Sequence, residues 1–178
     1  TYGYENFKNL LKVGKLSNIS AKRNDNLMRL LTRLAVINLM HPFQPFMLGQ
    51  KIYPIRVAIK MKIPLIFYGE NEAEHGNPIS DNASSLRKKY YFTHNNLKDL
   101  FLGGVNIKEL EDKYKIKIND LKDYIPPNDL ELENFPLEVH YLGYYINWIP
   151  QETFYYSVEN CGFKPRPFRT QGTYSKYN

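Results

Sequence analysis

Between Gly69 and Ser80 the sequence GENEAEHGNPIS crowds Glu70, Asn71, Glu72, Glu74, His75 and Asn77 onto one short stretch. Clustered carboxylates with an imidazole suit oxygen coordination of Mg²⁺, general acid–base transfer, or plain solvation of a surface loop. Glu70 and Glu72 alternate, so a strand running on through Gly69 would turn both to one side, a geometry able to share a cation. Spacing alone leaves the solvated loop as the default reading, and His75 serves as well for capping or core packing. The single Cys161 excludes an internal disulfide and any multi-cysteine zinc site. On a helix face with nothing nearby to lower its pKa, it reads as inert. The chain offers no Ser-His-Asp order, no zinc spacing and no glycine-rich phosphate loop.

The elements that must position this stretch follow from periodicity. Ile63 to Tyr68 is too short for a helix, is rich in Ile, Phe and Tyr, and carries Pro64 near its start. It is predicted to be a buried strand, whose mouth is where open α/β sheets place ligands. Upstream, Tyr2 to Val13 reads as a helix and Asn18 to Lys22 as a brief strand. A second helix, capped by Asn24, Asp25 or Asn26, repeats Leu27, Leu30, Leu31, Leu34 and Ile37 until Pro42. Its Arg29 and Arg33, one turn apart, read as a solvated face in preference to a phosphate contact. From Phe43 to Met61 the pattern is again helical, with Pro45 in the first turn and Pro54 expected to kink or split it. His41 and, downstream, His140 are assigned structural roles.

Beyond the loop, Arg87, Lys88 and Lys89 interleave with Tyr90, Tyr91 and Phe92, a pattern that holds a nucleotide or forms the edge of an element. Asn106 and Glu109 resemble a capping box, and a second small helix over Asp120 to Ile125 stops at Pro126 and Pro127. The pair has a helix-turn-helix outline, but Asp120 and Asp123 against Lys122 would repel phosphates, which ranks nucleic-acid binding low. Leu137 to Leu142 alternates as a strand broken by Gly143. A helix from near Pro150 then carries Phe154, Tyr155, Val158 and Cys161 as a core stripe, capped by Gly162. The tail FKPRPFRTQGTYSKYN bears Lys164, Arg166, Arg169 and Lys176 without an acid, so it either binds an anion or is mobile. Alternating helices and strands predict a layered α/β sheet with a small helical insertion. The expected segments are 1–95 for a nucleotide-binding core, 96–136 for the insertion and 137–178 for a terminal strand, helix and basic tail.

The chain of 178 residues is 43% hydrophobic and 15% aromatic, enough for a packed core, and its net charge of +6 invites anionic partners. Without a signal peptide or an apolar run of membrane-spanning length, a cytoplasmic protein with no membrane partner is expected. A start at Thr1 and an end without a closing element suggest a fragment.

Four motifs in order, HPFQPFMLGQK, IPLIFYGENEAEHGNPISDN, HYLGYYINWIPQE and RPFRTQGTYSKY, together resemble the N-acetyl sugar amidotransferase family (WbpG- and PseA-type) of lipopolysaccharide, O-antigen, pseudaminic and legionaminic acid biosynthesis. The resemblance spans nearly the whole chain. It implies membership of the PP-loop ATP pyrophosphatase superfamily and a partial Rossmann-like core of the adenine nucleotide alpha hydrolase type. It also implies ATP-dependent conversion of a sugar N-acetyl group to an acetamidino group, with ammonia from glutamine delivered by glutaminase and cyclase-like subunits. By motif, Glu70 and Glu72 would be catalytic and hold Mg²⁺. Asn71, Arg169 and Lys176 would bind nucleotide, while Glu74, His75, Asn77 and Gln171 would line the nucleotide-sugar or nonulosonic acid site. The family's Ser-Gly-Gly-x-Asp-Ser phosphate loop and N-terminal cysteine pairs, where zinc would bind, are absent from this sequence, as is its C-terminal stretch. The piece alone is therefore expected to be inactive. Two rivals stand beside this reading: a catalytically silent module that binds nucleotide-sugar or docks a glutaminase, and a nucleic-acid-binding domain.

Overall fold

The computed structural model describes residues 2–22, 24–69 and 83–168. The chain divides into two compact units, one of residues 1–20 with 146–178 and one of residues 21–145. The larger unit combines helices with two small two-stranded sheets, and among the described residues the smaller unit holds helices alone, so the protein is mixed α/β.

In the larger unit, α2 (Asp25–Leu39) begins where the Asn24 side chain accepts from Leu27 N, satisfying one of the orphan donors of the first turn. It ends at Met40, which adopts a left-handed conformation before Pro42. The helix α3 (Gln44–Met61) starts with Pro45 in its first turn and runs through Pro54 without a break, so the expected split does not occur. Strand β1 (Leu65–Tyr68) pairs in parallel with β4 (Glu138–Tyr141), in the register Leu65 to Glu138 and Tyr68 to Tyr141. A third chain segment joins β4 from its other side. Leu86 bridges His140 antiparallel, with Arg87 N donating to Val139 O at 2.7 Å and Tyr141 N to Ser85 O at 3.0 Å.

Two apolar clusters hold this unit. Ile52, Ile55 and Ala58 of α3 pack with Val139, Leu137, Phe92 and Leu132. Leu27, Leu31 and Leu34 of α2 pack with Leu102, Val105, Ile107, Leu110, Leu121 and Ile125. The second cluster draws on a hairpin, β2 (Phe101–Leu102) and β3 (Val105–Asn106), turned by Gly103 and Gly104 at positive φ. A Cβ on Gly103 would meet Leu31 O at 2.9 Å and one on Gly104 would meet Asn38 Cβ at 2.6 Å, so only glycine lets this turn rest on α2.

Several sequence expectations need correction. β1 is not buried on both faces: Leu65 and Phe67 are 44% and 47% exposed, as on a strand covered from one side only. Residues 18–22 form no strand; they carry none of the ladder bonds such a strand needs. The segment 118–121 is a single 3-10 turn, and α4 (Ile107–Asp112) has six residues, too short for a helix-turn-helix reading element. At α4, Asn106 caps Lys108 N while Glu109 lies 3.4 Å from Lys113. The reciprocal capping box forms instead at α5 (Asp129–Glu133), between Asn128 and Glu131.

In the smaller unit, α1 (Tyr2–Gly14) and α6 (Pro150–Cys161) bury no residue fully, which corrects the expected core stripe on α6. Tyr155 is 53% exposed, and Phe154 instead meets the Phe163 ring at 6.0 Å. Polar pairing ties the unit together: Asn6 exchanges two hydrogen bonds with the Lys164 backbone, at 3.0 and 2.8 Å, and Asn9 donates to Gly162 O at 2.6 Å. Gly162 takes the left-handed cap its position predicts, at φ 64°. Among the described residues no helix is long and apolar enough to cross a membrane.

Candidate functional site

Within the larger unit a cleft of about 760 Å³ opens at the carboxyl ends of the parallel pair, lined by Tyr68 at the end of β1, by Gly69 just after it and by Tyr141 at the end of β4. This is the end at which open α/β sheets bind ligands, and the volume falls in the range of small-molecule sites. One wall is the start of α2, with Asn24, Leu27 and Met28. A second is the first half of α3, from Phe46 to Pro54, and a third is Asp120, Asp123 and Tyr124.

Alternation places Tyr68 and Tyr141 on the α3 side of the sheet, the side that also carries half-buried Ile66 and buried Val139. The antiparallel segment brings Arg87 to the same side. Its side chain is 4% exposed, its Nη2 donates to Tyr91 O at 3.4 Å, and its guanidinium lies 5.7 Å from the Tyr68 ring and 5.8 Å from that of Phe92. The surrounding rings offer the guanidinium cation–π attraction. Lys22 and Lys51 add positive charge to the lining, and Asp120 and Asp123 add acceptors.

Pro54 shapes the α3 wall. Lacking an N–H, it leaves the Gln50 carbonyl without its usual helical donor. In the same turn the Lys51 carbonyl accepts from Tyr68 Oη at 2.8 Å. Gly49 lets Tyr124 approach, since a Cβ there would lie 3.3 Å from the ring.

The residues singled out in the sequence, Glu70, Asn71, Glu72, Glu74, His75, Asn77, Arg169, Gln171 and Lys176, all lie outside the described residues. The Mg²⁺ assignment to Glu70 and Glu72 falls there with them. Gly69, from which that stretch departs, is on the cleft rim. Among the described residues no group of three or more His, Cys, Asp or Glu is placed to hold a metal ion. Aromatic side chains and the cationic Lys22, Lys51 and Arg87 share this one cavity. The sequence shows Arg87 as part of a basic and aromatic run, Asp120 and Asp123 as acids that would repel phosphates, and Gly49 as a residue before the Pro54 kink, none of them as cleft lining. Tyr124 carries no sequence assignment, although Asp120, Asp123 and Tyr124 recur at a one-turn spacing that turns them to one side.

No protein-family model and no curated protein sequence matches the chain.

Proposed function

We propose that this chain provides the nucleotide- and sugar-binding cleft of an ATP-dependent amidotransferase, which replaces the carbonyl oxygen of a sugar N-acetyl group with nitrogen from ammonia. The product would be an acetamidino sugar of lipopolysaccharide, O-antigen or nonulosonic acid biosynthesis. The observation that supports this most is the position of the cleft: it opens where two parallel strands end, and its rim residue Gly69 leads directly into the acid-rich stretch from Glu70.

An amide carbonyl is a poor electrophile, and bound ATP would supply the activation that makes its oxygen a leaving group. In this reading Phe46, Tyr53 and Tyr124 offer flat apolar surface to a base. Lys22, Lys51 and Arg87 face phosphates, and Asp120 and Asp123 accept from sugar hydroxyls. Glu70 and Glu72 are assigned the Mg²⁺ and catalytic roles, Asn71, Arg169 and Lys176 the nucleotide, and Glu74, His75, Asn77 and Gln171 the sugar. The sheet would be the partial Rossmann-like core of a PP-loop enzyme, served by glutaminase and cyclase-like partners in the cytoplasm.

Calorimetric titration with ATP and Mg²⁺, a nucleotide-sugar and a random oligonucleotide tests the assignment. Saturable nucleotide and sugar binding is expected, and salt-steep binding of the oligonucleotide alone would overturn it. In the protein assayed with its ammonia source, Glu70→Gln and Glu72→Gln should abolish amidine formation, read by mass spectrometry. Wild-type turnover in both variants removes these acids from the mechanism.

A further inference from the structure

On the sheet face opposite α3, four polar side chains from three segments converge. His140 Nδ1 lies 2.9 Å from Tyr145 Oη and 3.2 Å from Ser85 Oγ, and the two hydroxyls are 2.8 Å apart. The other ring nitrogen, Nε2, lies 3.2 Å from Glu138 Oε2. A carboxylate at Nε2 selects the tautomer in which that nitrogen carries the proton, leaving the Nδ1 lone pair to accept from a hydroxyl. Glu138 is two residues before His140 on the same face of β4, and Ser85 lies in the bend just before Leu86, whose antiparallel bridge is to His140 itself, with its hydroxyl turned to the ring. The imidazole is further held by the rings of Phe67 at 5.8 Å and Tyr145 at 5.9 Å.

We propose that Ser85 is a base-activated nucleophile, with His140 as its base and Glu138 orienting the imidazole, and that it takes the acyl group of a small apolar ester. The convergence of hydroxyl, imidazole and carboxylate within hydrogen-bond reach is the geometry such chemistry requires. No such order shows in the chain, because the serine and the acid–histidine pair are brought together only by strand pairing. Leu65, Phe67 and Leu86, each 44% to 47% exposed, supply apolar surface beside the hydroxyl for the acyl group. In the step, the Ser85 proton passes to His140 Nδ1, directly or through Tyr145, as the Oγ–carbon bond forms and the ester carbon–oxygen bond breaks. The proton then leaves on the departing alcohol. Water reverses the sequence: its oxygen bonds to the acyl carbon, the Oγ–carbon bond breaks, and the proton returns to Ser85. This inference does not depend on the amidotransferase reading.

Treating the whole chain with 4-nitrophenyl acetate and mapping the adduct by mass spectrometry is the test. Acetylation at Ser85 is expected, with a matching burst of 4-nitrophenol. Ser85→Ala should lose both, and His140→Gln should slow acylation by about a hundredfold, the scale of a lost general base. Tyr145→Phe should retain labelling, since Ser85 still reaches Nδ1 on its own. An unlabelled wild-type Ser85, an undiminished burst in Ser85→Ala, or acetyl found on Tyr145 instead would overturn the assignment.

Discussion

The hydroxyl of Tyr68 donates to the main-chain carbonyl of Lys51 at 2.8 Å, joining the last residue of β1 to the middle of α3 along the edge of the cleft. The bond sits in the turn that Pro54 has already loosened, so it fixes a wall that the helix ladder alone holds less firmly. Tyr68→Phe should lower stability by about 1 kcal/mol, the usual net worth of one hydrogen bond. Urea unfolding should show a lower midpoint with an unchanged slope. An unmoved midpoint would mean that the bond contributes nothing.

Gly49 leaves room for the Tyr124 ring at the cleft wall. In Gly49→Ala, crowding against Tyr124 at 3.3 Å opposes a gain in helix propensity of about 1 kcal/mol, so little net change in stability is expected. Gly49→Val adds methyl groups where the ring already sits close. If the cleft holds the proposed nucleotide, its affinity should fall about tenfold, or 1.4 kcal/mol, by calorimetry. Equal affinity in the valine variant would place the ligand elsewhere.

Arg56 clamps the turn after the 3-10 segment onto α3. Its Nε and Nη2 donate to the carbonyls of Ile125 and Pro126 at 2.9 and 3.0 Å, and its Nη1 reaches Glu131 Oε2 at 2.7 Å. The carbonyls of Ile125 and Pro126 precede Pro127, and Pro126 and Pro127 have no N–H of their own, so a planar fork suits the site and an ammonium does not. Arg56→Lys should cost about 2 kcal/mol, most of it from the lost fork and little from the half-exposed ion pair. Glu131→Gln should cost much less. If the two substitutions prove equal in chemical denaturation, the ion pair and not the fork is the dominant contact.

Charge holds part of the smaller unit. Lys164 Nζ lies 2.9 Å from Glu5 Oε2, and this hydrogen bond with its charge attraction lowers the Glu5 pKa and raises that of Lys164. The lowered carboxyl contributes at pH values above its unfolded pKa, and that contribution is lost as acid protonates it. The raised ammonium contributes below its own unfolded pKa and is lost in strong base. Hydrogen exchange at the Lys164 amide, which donates to Asn6, should therefore be slowest at intermediate pH, after correction for intrinsic rates, and should quicken towards both extremes. Glu5→Gln should flatten the acid limb. A corrected profile with no pH dependence would show that Asn6 alone sets the docking.

What the sequence disclosed, and what it hid, divides along a physical line. Helices with an apolar repeat and a capping residue were legible: Asn24 with Leu27, Leu31 and Leu34 marks α2, and Pro150 and Gly162 bracket α6. The exposed side of β1 was not, because a run such as LIFY looks the same whether one face or both are covered. Helical spacing suggested a core stripe on α6, yet a periodic pattern does not say whether a partner surface exists. Asp120, Asp123 and Tyr124 were legible as a one-turn repeat but not as a cleft wall, because the α2 and α3 residues they face lie far away in the sequence. Arg87 was visible as a residue type but not as a buried one, since only its pairing with Val139 carries it inward.

The parallel partnership of Leu65 with Glu138 joins segments far apart in the chain, and everything between them must be gathered before the ladder can close. The cluster of α2 with the β2–β3 hairpin needs nothing beyond Ile125 and can form first, whereas the cluster around Ile55 waits for Leu137 and Val139. A chain ending before β4 would hold every buried residue of the α2 cluster, yet it would lack Tyr141 and the Val139 pairing that seats Arg87. The cleft, unlike that cluster, therefore depends on a pairing between residues far apart in the chain.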